Sequence, residues 1–243
     1  MKPLLVLAAF PVVLMGWASC SHSGTGHAAL PDPRAVDKSV PEYKNPFHPS
    51  TYAHFVARKD YRKTYDVYKD DTLLNRQPKK SRKIFVCLDE QRGQYLVDGL
   101  VAMDFPLSSG VKAYPTKTGD YAVISKKEDH ASNLYGKMYD AEGKCINYNA
   151  ESTDPIPEGG RFDGSPMPYW QRLTNAGLGL HVGKVRRHPV SHGCVRLPRN
   201  VAEILYRQTS IGTPVTIQKT PLPVSEAQKI PPAQQQESEG RKQ

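Results

Sequence analysis

The sequence predicts a mainly β domain, a mixed and mostly antiparallel sheet sandwich or barrel-like arrangement, with one short helix toward its C-terminal end. Three observations carry this prediction. Lys83-Ile84-Phe85-Val86-Cys87-Leu88 is a continuous apolar run rich in strand formers, as in a strand buried on both faces. The runs at residues 94–97 and 100–105 flank Asp98-Gly99, whose glycine tolerates the positive φ of a type I′ hairpin turn. Val201, Ile204 and Leu205 form one apolar helical stripe, bounded by Gly212 and Pro214.

Taken in order, the chain opens with Lys2 and an uncharged apolar stretch from Leu4 through Trp17, broken at Pro11 and followed by Ala18 and Ser19. A charged start, a short apolar segment and a small-residue end describe an export signal over residues 1–19, too short for a retained membrane span. Trp17-Ala18-Ser19-Cys20 resembles a bacterial lipobox, with Trp17 where an aliphatic residue is usual, so Cys20 is the expected lipidation site. Simple secretion is the alternative. The implied location is the cell envelope, periplasmic and lipid-anchored to a membrane.

Residues 20–41 are small, polar and proline-broken, the composition of a tether. Residues 42–80 turn to Tyr and Lys/Arg, and Tyr52, Tyr61, Tyr65 and Tyr68 suit a surface-lying arm packed loosely on the domain. The ordered domain is expected over residues 81–219. After the hairpin, residues 119–125 read as one further strand, and residues 128–167, polar and rich in Gly, Pro and Asp, as a covering loop or surface insertion. Residues 178–182 form a strand that delivers His181, and residues 195–197 a strand or turn after Cys194. Asn200 and Glu203 suggest a capping box, residues 214–217 a closing strand, and residues 220–243 a disordered tail.

The formal charge of +9 favours an anionic partner, and the cell envelope supplies such polymers. Nucleic acid is disfavoured by the export signal and by the lack of a Lys/Arg stripe interleaved with stacking aromatics. With Cys20 set aside, Cys87, Cys145 and Cys194 remain, an odd number in an oxidising compartment, so at least one thiol stays free. Cys87, inside an apolar strand, reads as inert core.

Ser191-His192-Gly193-Cys194 carries the chemistry. A thiol becomes a nucleophile as thiolate, and an imidazole supplies its proton acceptor. His192 lies two residues from Cys194 and either faces it or braces the turn, whereas His181 arrives on a separate strand and can face the sulfur. Gly193 permits unusual dihedrals, so the Gly193 and Cys194 amides are candidate donors to an oxyanion.

The run from Ser191 through Leu197, preceded by His181, resembles the signature of the L,D-transpeptidase catalytic domain family, of the YkuD type. Residues 83–105 resemble the family's opening hairpin, Thr116 and Gly119 its Thr-containing turn, and residues 167–180 the approach to its histidine. The resemblance implies the family's β fold, Cys194 as nucleophile, His181 as proton acceptor and donor, and residues 191–194 as the oxyanion-binding and substrate-positioning turn. It implies an acyl thioester formed from a peptidoglycan tetrapeptide stem and passed to an amine, with no cofactor and no metal.

A second stem as acceptor gives a 3-3 cross-link, water gives L,D-carboxypeptidase trimming, and a protein lysine gives protein attachment. Arg196 is a candidate partner for stem carboxylates, and Tyr169, Trp170 and Thr116 are candidate groove residues, aromatic packing being the alternative for the first two. The interval from His181 to Ser191 is shorter than in many members, and Lys117 stands where relatives often have proline. Val182 cannot orient the imidazole through its side chain, so a backbone carbonyl has to hold the His181 tautomer. Two other classes stay open: a zinc site using His181, His188, His192 and Cys194, whose spacings match no standard motif, and a lipoprotein that binds the wall without catalysis. Oligomeric state is not legible.

Overall fold

A computed structural model describes residues 30–77, 81–225 and 228–229. The proposed export signal, Cys20 and the last residues of the tail lie outside them. Among the described residues the chain runs α1 (Tyr52–Ala57), β1 (Tyr68–Lys69), α2 (Asp71–Asn75), β2 (Arg82–Cys87), β3 (Arg92–Val97), β4 (Leu100–Pro106), β5 (Gly119–Ala122), β6 (Ser125–Lys127), β7 (Ala131–Tyr139), β8 (Cys145–Glu151), β9 (Arg161–Pro166), β10 (Trp170–Arg172), β11 (Gly179–Val182), β12 (Val195–Leu197), α3 (Arg199–Gln208) and β13 (Pro214–Gln218).

The hairpin forms as its turn chemistry dictates. Asp98 and Gly99 have φ of +51° and +79°, the pair of positive values a type I′ turn needs, and they set Val97 opposite Leu100. A six-stranded sheet grows from it in the order β1-β4-β3-β2-β13-β5. β2 lies inside that sheet, antiparallel to β3 and parallel to β13, with Ile84, Phe85 and Val86 buried. The expected closing strand is therefore interior, with β5 beyond it.

A second sheet, β12-β11-β10-β6, packs on the first. Ile84, Tyr95, Met103 and Phe105 meet Leu180, Val195 and Leu197 between the sheets, and Val201 and Leu205 of α3 complete the core. Each such side chain contributes about 1.5–3 kcal/mol on full burial. The strand expected at residues 119–125 is two strands. At the break the Val123 amide donates to Thr213 O (3.0 Å) and the Ile124 amide to Arg172 O (2.8 Å), carrying the chain from one sheet to the other. Periodicity alone cannot place a corner inside an unbroken β-prone run.

Residues 128–167 are the surface insertion rather than the covering loop: they hold a separate antiparallel sheet, β8-β7-β9. Its strands are largely exposed on both faces, which is why their polar sequence carries no hydrophobic alternation. The helix also starts differently. Pro198, with φ of −58°, precedes α3 and needs no amide partner, so Asn200 falls inside the helix and the capping box does not form.

The N-terminal arm is not a loose surface layer. Phe47, Tyr52, Phe55, Val56 and Tyr61 form a second core with Val101 and Val224 on the outer face of the six-stranded sheet. That face carries buried polar groups that the tyrosines complete: Asp104 accepts from Tyr52 Oη at 2.5 Å, from Tyr61 Oη at 2.9 Å and from Arg92 Nε. Arg92 also donates to Thr64 O and Asp66 O, at 3.2 and 3.0 Å. A tyrosine can bury its ring only where its hydroxyl finds a partner, and here the partners come from β3 and β4.

Both ends of the chain continue this layer. From the segment read as a tether, Arg34 pairs with Glu90 at 3.5 Å and Lys38 Nζ donates to Val56 O at 2.8 Å. From the tail expected to be disordered, Gln228 pairs through its amide with both the N–H and the C=O of Val101, each at 3.1 Å. No helix among the described residues is long and apolar enough to cross a membrane.

Candidate active site

β11 and β12 are parallel neighbours, with Leu180 beside Val195 and His181 beside Arg196. Leu180, Val195 and Leu197 point into the core, so alternation sends His181 and Arg196 to the other face. One step back, Cys194 immediately precedes β12, and its sulfur lies against the backbone of residues 177–179 that leads into the strand carrying His181. Antiparallel pairing of β10 adds two more side chains, because Gln171 opposite Leu180 and Arg172 opposite Gly179 put Trp170 and Arg172 on the same side. Sequence reasoning missed Arg172. Its signal, the two-residue step from Trp170, becomes readable only once residues 170–172 are known to be a strand.

His181 is 6% exposed, walled by the Trp170 ring at 5.9 Å between centroids. Gly179 admits that ring, since a Cβ there would meet Trp170 at 2.5 Å. Burial pushes the imidazole down to about 4, a shift partly offset by the Val182 hydrogen bond and extended by Arg196 and His130. The His181 Nδ1 lies 2.8 Å from Val182 O. A carbonyl only accepts, so Nδ1 carries the hydrogen and Nε2 presents its lone pair.

The Cys194 thiol is pushed up by burial, with the Gly179 amide and the Arg196 and Arg172 charges pulling it back. Its Sγ donates to Gly177 O at 3.3 Å. The pair at neutral pH is therefore a thiol beside a neutral imidazole. Both shifts favour the neutral forms, a protonated thiol and an imidazole whose Nε2 can accept a proton.

The turn at residues 191–194 is pinned from two sides. Ser191 Oγ accepts from the Gly193 amide at 3.1 Å and donates to Cys194 O at 2.5 Å. Gly193 has φ of +111°, a conformation that excludes side chains even though a Cβ would have nothing nearer than Tyr114 O at 3.9 Å. The Gly193 amide, one of the two expected oxyanion donors, is thus spent on Ser191. The Cys194 amide donates to no acceptor among the described residues. Thr116 is 5% exposed and braces this turn, its Oγ1 donating to Gly193 O at 2.6 Å, and it also lines an open cleft with Gln91, Ser109, Gly110 and Lys117.

His192 is exposed and stacks on Tyr135 of β7, with centroids 4.4 Å apart and planes at 18°, while Tyr114 approaches at 4.7 Å. Burial raises Tyr135, with Glu151, Tyr114 and Cys194 adding to the shift. The β7–β9 sheet thus meets the nucleophile's turn through aromatic rings. Trp170, 2% exposed, packs beneath the site and does not line a groove. Tyr169 turns to Tyr206, with centroids 5.6 Å apart, on the helix side.

Cys87 is buried, raised to about 11 by desolvation, and donates to Lys219 O at 3.0 Å, so it stays a thiol. Cys87, Cys145 and Cys194 are all free. Among the described residues no cluster of three or more His, Cys, Asp or Glu side chains is placed to hold a metal.

Residues 81–217 match the family model of the L,D-transpeptidase catalytic domain. A curated protein from Mycobacterium tuberculosis, "Probable L,D-transpeptidase 3", is 31% identical over 121 residues, covering 47% of this chain and 38% of that protein. The chain thus spans well under half the length of that relative. Among solved structures, an L,D-transpeptidase from Mycobacterium smegmatis aligns with a TM-score of 0.44 at 22% identity, covering 56% of this chain and 58% of the other. One from Stackebrandtia nassauensis aligns at 0.43 and 22% identity, covering 70% and 67%.

Proposed function

Because this chain belongs to the L,D-transpeptidase catalytic domain family, we propose that it forms an acyl thioester on Cys194 from a peptidoglycan tetrapeptide stem and transfers it to an amine. The observation that supports this reading is the parallel pairing of β11 and β12, which brings Cys194, the residue before Val195, to the strand that carries a buried imidazole of fixed tautomer. His181 Nε2 takes the thiol proton as Sγ bonds to the carbonyl carbon of the stem's L-centre diamino acid. The carbonyl electrons move to oxygen, and the Cys194 amide is the donor available to receive that charge. Collapse breaks the C–N bond, and the imidazolium returns the proton to the departing D-alanine amine. An acceptor amine, deprotonated by the same nitrogen, then attacks the thioester and releases the thiol.

Arg172 and Arg196 flank the thiol with no carboxylate partner among the described residues, which suits a substrate bearing carboxylates. Their planar forks bind a carboxylate in two places at once. Transfer to a second stem, giving a 3-3 cross-link, is the reaction favoured here. Trimming by water and attachment to a protein lysine use the same acyl-enzyme. A non-catalytic wall-binding lipoprotein is the reading that a Cys194 acyl-enzyme would exclude. Export, a periplasmic location and a lipid anchor at Cys20 complete the proposal and rest on the N-terminal sequence.

The test is incubation of isolated sacculi with the wild type, Cys194→Ala and His181→Ala, followed by muropeptide analysis. The wild type should convert tetrapeptide stems to 3-3 linked dimers, and neither variant should. Unchanged stems with active, folded wild type would refute the reading.

A further inference from the structure

We propose that Thr116 is a positioning residue that aims the Cys194 amide at the oxyanion, acting through the peptide plane between Gly193 and Cys194. The inference rests on the acyl-transfer reading of Cys194. In a trans peptide the C=O of one residue and the N–H of the next point in opposite directions across one rigid plane. Thr116 Oγ1 donates its proton to Gly193 O at 2.6 Å, so holding that oxygen on one side holds the Cys194 N–H on the other.

The hydroxyl is itself oriented. It accepts from the Gly110 amide at 2.8 Å, leaving its only proton for Gly193. The two backbones interlock there: a Cβ on Gly110 would lie 2.8 Å from the Gly193 Cα and 2.1 Å from Tyr114 O. The preceding peptide is fixed too, by the bond from the Gly193 amide to Ser191 Oγ. The Ser191 and Gly193 amides, Gly193 O and Cys194 O are committed, whereas the His192 and Cys194 N–H groups donate to no acceptor among the described residues, and of these two only the Cys194 N–H belongs to the plane that Thr116 holds.

A donor without an acceptor, held in a pinned peptide plane and carried by the same residue as the sulfur, is placed for charge that appears only during reaction. When Sγ bonds to a carbonyl carbon, the carbonyl electron pair moves to oxygen and that oxygen meets the Cys194 N–H. When the leaving group departs with its electron pair, the carbonyl reforms. Without the Thr116 hydroxyl, the Gly193–Cys194 plane can rotate about its flanking bonds, and the donor loses its aim.

The experiment compares two reagents on the full chain as wild type, Thr116→Val and Thr116→Ser. p-Nitrophenyl acetate acylates a thiol through a tetrahedral oxyanion, whereas iodoacetamide alkylates by displacement at a saturated carbon and forms none. Modification of Cys194 is followed by peptide mass mapping, which separates it from Cys87 and Cys145. For Thr116→Val, Cys194 acylation should fall by about ten- to a hundredfold while its alkylation stays within about twofold, with Thr116→Ser recovering most of the acylation. Equal acylation in Thr116→Val and wild type would overturn the proposal. So would a parallel loss of both reactions that Thr116→Ser fails to restore, since that marks general collapse of the turn. Because p-nitrophenyl acetate needs no peptidoglycan, a wild type that acylates normally but leaves sacculi unchanged refutes only the assigned substrate. Failure of the wild type to acylate Cys194 at all would sink the acyl-transfer reading beneath both.

Discussion

Replacing Asp104 with alanine tests whether the N-terminal segment is part of the folded domain. Asp104 is fully buried, and Arg92 beside it is 1% exposed. The substitution removes the acceptor of Tyr52, Tyr61 and the Arg92 Nε, together with the weaker bond from Gln94 at 3.3 Å. A buried ion that loses its partner costs about 3–5 kcal/mol. At about 2–4 °C per kcal/mol for a domain of this size, the Tm should drop by roughly 6–20 °C. Arg92 retains Thr64 O and Asp66 O as acceptors, which favours the lower half of that range.

The assay is thermal unfolding of the full chain as wild type, Asp104→Ala, Arg92→Met and the double variant. Replacing both ions with apolar groups should cost less than the sum of the single changes, because no buried charge is then left alone. Destabilisation of Asp104→Ala below about 1 kcal/mol, the range of exposed ion pairs, would refute the reasoning. It would mean that water reaches the pair and that α1 does not seat on the sheet.

Two further outcomes follow from the same structure. His181 is held at about 4 by burial, below its ordinary 6.5, so between these values the unfolded chain binds a proton that the folded chain refuses. Its contribution is full above about pH 6.5 and lost as pH falls toward 4, worth about 3 kcal/mol in all. The acid limb of Cys194 acylation by p-nitrophenyl acetate should accordingly lie near 4, and a limb centred near 6.5 would contradict the buried imidazole. Gln228→Ala should cost about 1–3 kcal/mol in thermal unfolding by removing the two bonds to Val101. A disordered tail would show no change.

Where local chemistry decides, reading and structure agree. The Asp98-Gly99 turn needs positive φ at both positions, and the chain supplies residues that accept it. The stripe of Val201, Ile204 and Leu205 makes a helix whose first turn is nonetheless set by Pro198, because capping depends on where the preceding strand ends. His181 and Cys194 are legible as a pair from their motif. That their strands are neighbours requires the parallel register of β11 and β12, which no local pattern specifies.

The tyrosines of residues 42–80 show the limit most clearly. Spacing gives each a plausible exposed position, yet Tyr52 is buried because an acceptor 52 residues away, Asp104, completes its hydroxyl. The same holds inside the turn. Residue types name Gly193 and Cys194 as equal candidates for the oxyanion donor, whereas the fold spends the Gly193 amide on Ser191 and leaves the Cys194 amide open. Residue types and their spacing determined the hairpin and the helix and named the candidate pair, since backbone preference and near-neighbour geometry act within a few residues. Tertiary structure alone decided where the tyrosines go, where the strand at Val123 turns its corner, and that the Gly193 amide is taken by Ser191. Each of those depends on hydrogen-bond partners that only folding brings within reach.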